Sequence, residues 1–211
     1  MNQEPEYWQT ACELLVRADS VLGRLITTHR QDVLRGSGDA LQTLVNAIVG
    51  QQISVSAAES IWGRLRTLIP NLEPEALLTV EEEDLRKAGL SRRKIEYIRG
   101  VARAFLKEEL GEERFASLSD GEIKKRLCRL RGIGPWTADM FLIFYLNRPD
   151  VLPIEDLGLV NAAARLYGWD GEATPDERKR ALRKHAERWR PWRSVATWYI
   201  WRDLDAEPVI Y

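Results

Sequence analysis

Cysteine and histidine are scarce in this chain. There are two of each in 211 residues, Cys12 and Cys128 with His29 and His185. Two cysteines so far apart cannot ligate an iron–sulfur cluster, and so few Cys and His ligands give no expectation of a zinc site. A disulfide is not expected either in a chain that reads as cytosolic. No apolar run approaches the roughly 18 residues that a membrane-spanning helix needs. The first residues, Met-Asn-Gln-Glu-Pro-Glu, are acidic and carry no apolar core, so no secretory leader is read there. An excess of one charge sign is lacking too: 31 basic against 32 acidic residues leave a net charge of −1. That balance argues mildly against nucleic-acid binding. A local basic face survives such a count, because phosphate contacts depend on the face and not on the total. Convincing alternating strand patterns are absent as well.

What is present describes a globular chain. Hydrophobic residues make up 45% and charged residues 30%, enough for one large domain or two small lobes with a real core. Apolar residues recur at helical spacing at Leu41, Leu44, Val45 and Ile48, at Ala58, Ile61, Leu65 and Leu68, and at Ile95, Ile98, Val101, Ala102 and Phe105. Capping boxes are predicted at Thr79 with Glu82, Ser119 with Glu122, and Thr174 with Glu177, the last followed by Pro175. Loops are read at Gly36-Ser37-Gly38, Pro70-Asn71, Gly89, Gly111 and residues 147–150. Roughly ten to twelve helices with short connections, an all-α fold, are predicted from these signals. Basic residues gather at 91–94, 124–131 and 178–193, and acidic ones at 73–84 and 108–113. The third basic cluster reads first as a solvated helix face. Gly89-Leu90-Ser91-Arg92-Arg93-Lys94 reads first as a plain helix connection and second as a degenerate phosphate-binding turn.

The most informative stretch is Leu130-Arg131-Gly132-Ile133-Gly134-Pro135-Trp136. A helical run from Glu122 to Arg129 ends in a Gly-x-Gly turn, and a new run starts at Pro135, which needs no N–H partner at a first helical position. Glycines at 132 and 134 permit positive φ and leave backbone N–H groups uncovered. Such a turn opening onto a helix N-terminus is an anion site, with phosphate the natural anion. Alone it would more often be only a helix cap. Here Gly50-Gln51-Gln52-Ile53-Ser54 lies upstream, Pro153-Ile154-Glu155-Asp156-Leu157-Gly158 downstream, and Trp189-Arg190-Pro191-Trp192-Arg193-Ser194 near the end.

Those four segments, in that order, resemble the helix-hairpin-helix (HhH-GPD) DNA glycosylases, most closely the 3-methyladenine DNA glycosylase II type, from about Ala40 to Trp201. The resemblance implies two helical lobes with a DNA- and base-binding cleft between them. Residues 39–150 would form the central lobe carrying the hairpin and 151–211 the C-terminal lobe carrying the catalytic acid. The N-terminal helices, 1–38, would pack with the latter, and Asp156 would lie at the crossing point. The chain is too short for the extra N-terminal α/β domain of the larger enzymes, and it lacks the four-cysteine cluster of several relatives.

Asp156, directly before Leu-Gly-Leu, matches the family's catalytic aspartate, and Glu155 is its rival. A carboxylate suits the chemistry, because breaking a purine N-glycosidic bond develops positive charge on the sugar. Asp156 should also occupy or adjoin a helix N-cap, where the dipole favours the ionised form. Trp136 stands where strand-cleaving relatives place a lysine, which implies simple hydrolysis without a Schiff base. Trp136 and Trp201 correspond to the family's pocket aromatics, whose faces attract cationic alkylated purines. Met140 stands where well-known relatives have a pocket tyrosine. Among the eight tryptophans, Trp189, Trp192 and Trp198 read first as core packing. A flipped base leaves a gap in the duplex. Gln52 is the leading wedge, Ile53 and Ser54 are alternatives, and Gln51 reads as structural. Leu130, Arg131, Gly132, Ile133 and Gly134 would hold a phosphate, with a monovalent cation on neighbouring carbonyls as the only ion implied. No metal or organic cofactor is expected. The expected partner is double-stranded DNA containing damaged bases, bound by an intracellular, nucleoid-associated monomer. The rival from another class is a non-catalytic helix-hairpin-helix DNA-binding protein.

Overall fold

Side-chain caps set most helix starts in this chain. The computed structural model describes residues 4–36, 38–107, 110, 115, 117–171 and 173–204. Ser37, Gly111 and most of the acidic 108–113 stretch lie outside the described residues. Within them the chain forms twelve α-helices: α1 (Trp8–Ala18), α2 (Ser20–Thr28), α3 (Ala40–Gly50), α4 (Val55–Leu68), α5 (Pro74–Thr79), α6 (Glu82–Lys87), α7 (Arg92–Leu106), α8 (Asp120–Leu127), α9 (Pro135–Phe144), α10 (Leu157–Tyr167), α11 (Pro175–His185) and α12 (Arg193–Leu204). A 3-10 turn at Ala186–Trp189 follows α11. No β-strand occurs among the described residues, so the fold is all-α as predicted.

Asp19, Asp39, Ser54, Ser91 and Asp156 each accept a backbone N–H at the start of α2, α3, α4, α7 and α10. Reciprocal capping boxes open α8 and α11, as the Ser119–Glu122 and Thr174–Glu177 spacings predict. Thr79 differs from its prediction. It is the last residue of α5, and its hydroxyl donates back to the carbonyls of Glu75 (3.0 Å) and Ala76 (3.3 Å). The chain then needs the extended Val80 and Glu81 to enter α6. A threonine in helical conformation bonds its own preceding turn instead of capping the next helix.

The described residues divide into two compact units, 38–141 and 4–36 with 142–204, the border falling inside α9 between Phe141 and Leu142. In the unit 38–141, α7 packs against α3, α5 and α6. Its stripe Ile95, Ile98, Val101 and Ala102 is buried, as are Leu41 and every residue of α3 from Thr43 to Val49. In the other unit α12 packs against α1, α2, α10 and the 3-10 turn. Every residue of α12 from Ser194 to Arg202 is buried. Each large apolar side chain so buried contributes about 1.5–3 kcal/mol.

Candidate functional site

The helical run before the hairpin ends at Leu127, two residues earlier than its sequence pattern suggests. The N–H groups of Arg129 and Leu130 bond to carbonyls three residues back, which tightens the chain into the turn. Gly132 sits at φ +90, and a Cβ built there would lie 2.1 Å from Cγ of Tyr97 on α7. Only glycine fits over that ring. Gly134 is a correction to the expectation that both glycines supply positive φ. Its φ is ordinary, and a Cβ there meets no heavy atom within 4 Å. The carbonyl of Gly134 accepts the Ala138 N–H (3.0 Å), the first bond of α9. Open space therefore lies beside a helix N-terminus, the arrangement that receives an anion. Ile133 is buried beneath the turn, Leu130 is half-buried, and exposed Arg131 pairs with Glu96 of α7.

The loop between α3 and α4 is tied to this hairpin. The Gln51 side-chain N–H group donates to the Gly132 carbonyl (2.9 Å) and to the Thr137 hydroxyl (3.0 Å). Gln51 is thus structural, as its sequence reading holds. Gln52, exposed, adopts φ +58 without being glycine, and Ile53 beside it is 39% exposed. Ser54 caps α4, its hydroxyl oxygen accepting the Ala57 N–H (3.4 Å). Lys94 of α7 donates from Nζ to the Val49 carbonyl (2.7 Å) near the C-terminal pole of α3. Burial lowers the pKa of this lysine.

In the other unit Asp156 is the N-cap of α10. Its Oδ1 accepts the Leu159 N–H at 2.7 Å, and the carboxylate is half-buried. The cap fixes the carboxylate at the N-terminus of α10. A Cβ at Gly158 would stand 3.2 Å from the same oxygen, so glycine keeps that side of the carboxylate uncrowded. Glu155, the rival, is exposed and ion-paired with Lys179 of α11. The chain approaching Asp156 is clamped by the Arg-Pro-Trp-Arg-Ser segment. Arg193 Nε donates to Asp150 Oδ1 (2.6 Å) and Arg190 to Asp150 Oδ2 (2.8 Å). Ser194 Oγ donates to the Arg148 carbonyl (2.6 Å) and accepts the Val151 N–H (3.0 Å).

Trp136 is half-buried in the first turn of α9, and Met140, one turn on, is fully buried. Trp201 on α12 is 8% exposed and stacks on Phe144, centroids 5.9 Å apart at 13°. Trp189 and Trp198 are buried, and Trp192 stacks on Tyr7, in line with the packing roles read for them. Tyr97 and the Lys124–Asp139 pair were missed from the sequence, and Lys94, read there as part of a helix connection, donates to the Val49 carbonyl. Asp139 alone left a signal there, a charged residue inside the apolar run of α9.

A helical chain in which a short glycine turn joins two helices and opens onto the second one's N-terminus is a helix-hairpin-helix protein. Residues 45–188 match the HhH-GPD superfamily of base excision DNA repair proteins, and the chain belongs to that family. It is 32% identical over 185 residues to DNA-3-methyladenine glycosylase 1 of Schizosaccharomyces pombe, covering 86% of this chain and 79% of the relative. A DNA-3-methyladenine glycosylase of Bacillus subtilis is also 32% identical, over 80% of this chain and 58% of its own length, so the chain spans less than two thirds of that relative. Among solved structures, Schizosaccharomyces pombe 3-methyladenine DNA glycosylase in complex with abasic DNA superposes with a TM-score of 0.80 at 31% identity, covering 92% of this chain and 95% of that one. The family resemblance carried by the four sequence segments is borne out.

Proposed function

We propose that the chain is a DNA glycosylase that hydrolyses the N-glycosidic bond of alkylated bases in double-stranded DNA during base excision repair. The abasic product strand stays intact. The observation that carries this reading is Asp156, capped onto α10 with one oxygen committed to the Leu159 N–H (2.7 Å). The carboxylate stabilises the oxocarbenium-like sugar as the base departs, and it orients or deprotonates the attacking water. Glu155 is held by Lys179 and is not assigned the role. The hairpin 130–134 receives a phosphate at the open side of Gly134. Gln52, with Ile53, fills the gap left by the extruded base. Half-buried Trp136 supplies a stacking face, Trp201 offers the ring face that Phe144 leaves, and Met140, fully buried, presents no surface of its own.

Cationic 3-methyladenine and 7-methylguanine are the bases such faces favour, through terms of roughly 0.5–2 kcal/mol each. Among the described residues, the carbonyls of Leu130 and Gly132 accept one hydrogen bond apiece, from the Ile133 N–H and the Gln51 side chain. Each keeps a second lone pair, a donor set of the kind a monovalent cation takes, and a cation held there would add positive charge beside the phosphate. The protein is proposed to act as a monomer on nucleoid DNA.

Asp156→Asn retains a cap but removes the negative charge. Its single-turnover excision rate should fall about 100-fold or more while affinity for lesion-bearing duplex holds. A rate near wild type would refute the assignment, and Glu155→Gln, run beside it, should keep most activity. If neither wild type nor variant excises any alkylated base yet both bind duplex, the chain is a non-catalytic DNA-binding protein. Because Trp136 offers no amine, borohydride should trap no covalent protein–DNA adduct, and the product strand should break only in hot alkali.

A further inference from the structure

Two loops with separate duties in DNA handling are joined here by one side chain. Gln51 is the C-cap of α3 and sends its side-chain N–H group to two acceptors, the Gly132 carbonyl in the hairpin turn (2.9 Å) and the Thr137 hydroxyl in α9 (3.0 Å). Thr137 is 2% exposed, so the tie ends in the core and not in solvent. The next residue, Gln52, holds φ +58. A non-glycine residue keeps that conformation only where its surroundings over-determine it.

A second tie supports the same loop. Lys94 reaches the Val49 carbonyl (2.7 Å), and Tyr97, three residues further along α7, forms the floor beneath Gly132. One face of α7 therefore fixes both the end of α3 and the hairpin. A side chain that pushes into a base stack must act against a fixed point, or the free energy of ordering its loop is lost at the moment of insertion.

We propose that Gln51 is a positioning residue that locks the Gln52 wedge to the phosphate-holding hairpin, so that gripping the backbone also presents the wedge in its inserting conformation. This rests on the glycosylase reading given above. Gln51→Ala should leave affinity for undamaged duplex within about twofold and lower single-turnover excision by about tenfold. Unstacking of 2-aminopurine placed beside a lesion should fall in parallel. Gln51 acts through Gln52, so adding Gln51→Ala to Gln52→Ala should lower the rate no further. Gln51→Glu, which cannot donate, should behave like Gln51→Ala, and Gln51→Lys, which restores a donor, should recover most of the rate.

Additive losses in the double variant, or equal losses of undamaged-duplex affinity and excision, would reduce Gln51 to a structural prop. Hydrogen exchange of the free protein decides the tie without any DNA. Gln51→Ala should speed exchange across 51–54 and 131–134 together while 44–48 stay protected, and unchanged protection overturns the proposal. Should the wild-type protein excise nothing, the glycosylase reading fails while the exchange result still decides the coupling.

Discussion

At Gly132 a Cβ would meet the Tyr97 ring at 2.1 Å, on a backbone whose φ of +90 side chains rarely adopt. Gly132→Ala therefore combines a clash with a strained dihedral, and it should cost about 2–5 kcal/mol in urea unfolding. Gly134→Ala should fold normally, its stability within about 0.5 kcal/mol of wild type, because nothing crowds the site. Yet its methyl group would stand in the space proposed for the phosphate. Affinity for damaged and undamaged duplexes at fixed salt should drop alike, since phosphate contacts position a protein without reading sequence. Unchanged affinity in the folded variant would leave the turn as a helix start and nothing more. The division of labour between the two glycines was not legible in the sequence. Both sit in one Gly-x-Gly turn, and what separates them is a tyrosine on a different helix.

The two helices that flank the hairpin, α8 and α9, are bridged by a charge pair. Asp139 is 2% exposed, and Lys124 Nζ lies 2.6 Å from its Oδ1. Lys124→Met takes the ion-pair partner from a buried carboxylate, so it should cost about 1–3 kcal/mol. Lys124→Met with Asp139→Leu should recover much of that loss, and a denaturation double-mutant cycle reads the coupling. An additive cycle would show the pair to be incidental. Helices with one apolar stripe, such as α3 and α7, were legible because their periodicity is local. So were the starts of α8, α10 and α11, since a cap and the N–H it accepts lie within three residues. Helix α12 carries no such stripe, being buried on all sides from Ser194 to Arg202. Thr79 misled because a capping-box spacing says nothing about which helix already holds the hydroxyl. The site divides the same way. Asp156 as a cap was readable, while the Gln51–Gly132 and Lys124–Asp139 contacts depend on how distant segments pack.

On the scale of the whole chain, the unit built from 4–36 and 142–204 gathers residues far apart in sequence around one acid. Asp19 is 5% exposed. Its Oδ2 accepts from Trp189 Nε1 and the Tyr167 hydroxyl and lies near His185 Nε2, each at 2.9 Å. Its Oδ1 takes the N–H groups of Val21 (3.0 Å) and Leu22 (3.2 Å). Asp19 thus joins α2, α10, α11 and the 3-10 turn, and Tyr167 ends the helix that Asp156 begins. Burial by itself raises the carboxyl pKa, but the bonds from Trp189, His185, Leu22 and Tyr167 together outweigh it, and the net shift is downward. A folded-state pKa below the unfolded value of about 3.9 contributes stability at higher pH and loses it as pH falls through the folded pKa. Asp19→Asn should therefore destabilise the protein at neutral pH by about 1–3 kcal/mol, leaving buried donors with a weaker partner. The gap between wild type and variant should narrow below about pH 4, where the wild-type carboxylate takes up its proton. Urea unfolding above and below that pH reads the gap directly. A difference that persists unchanged to the acid limit would mean that the shape of the side chain, and not its charge, holds these elements together.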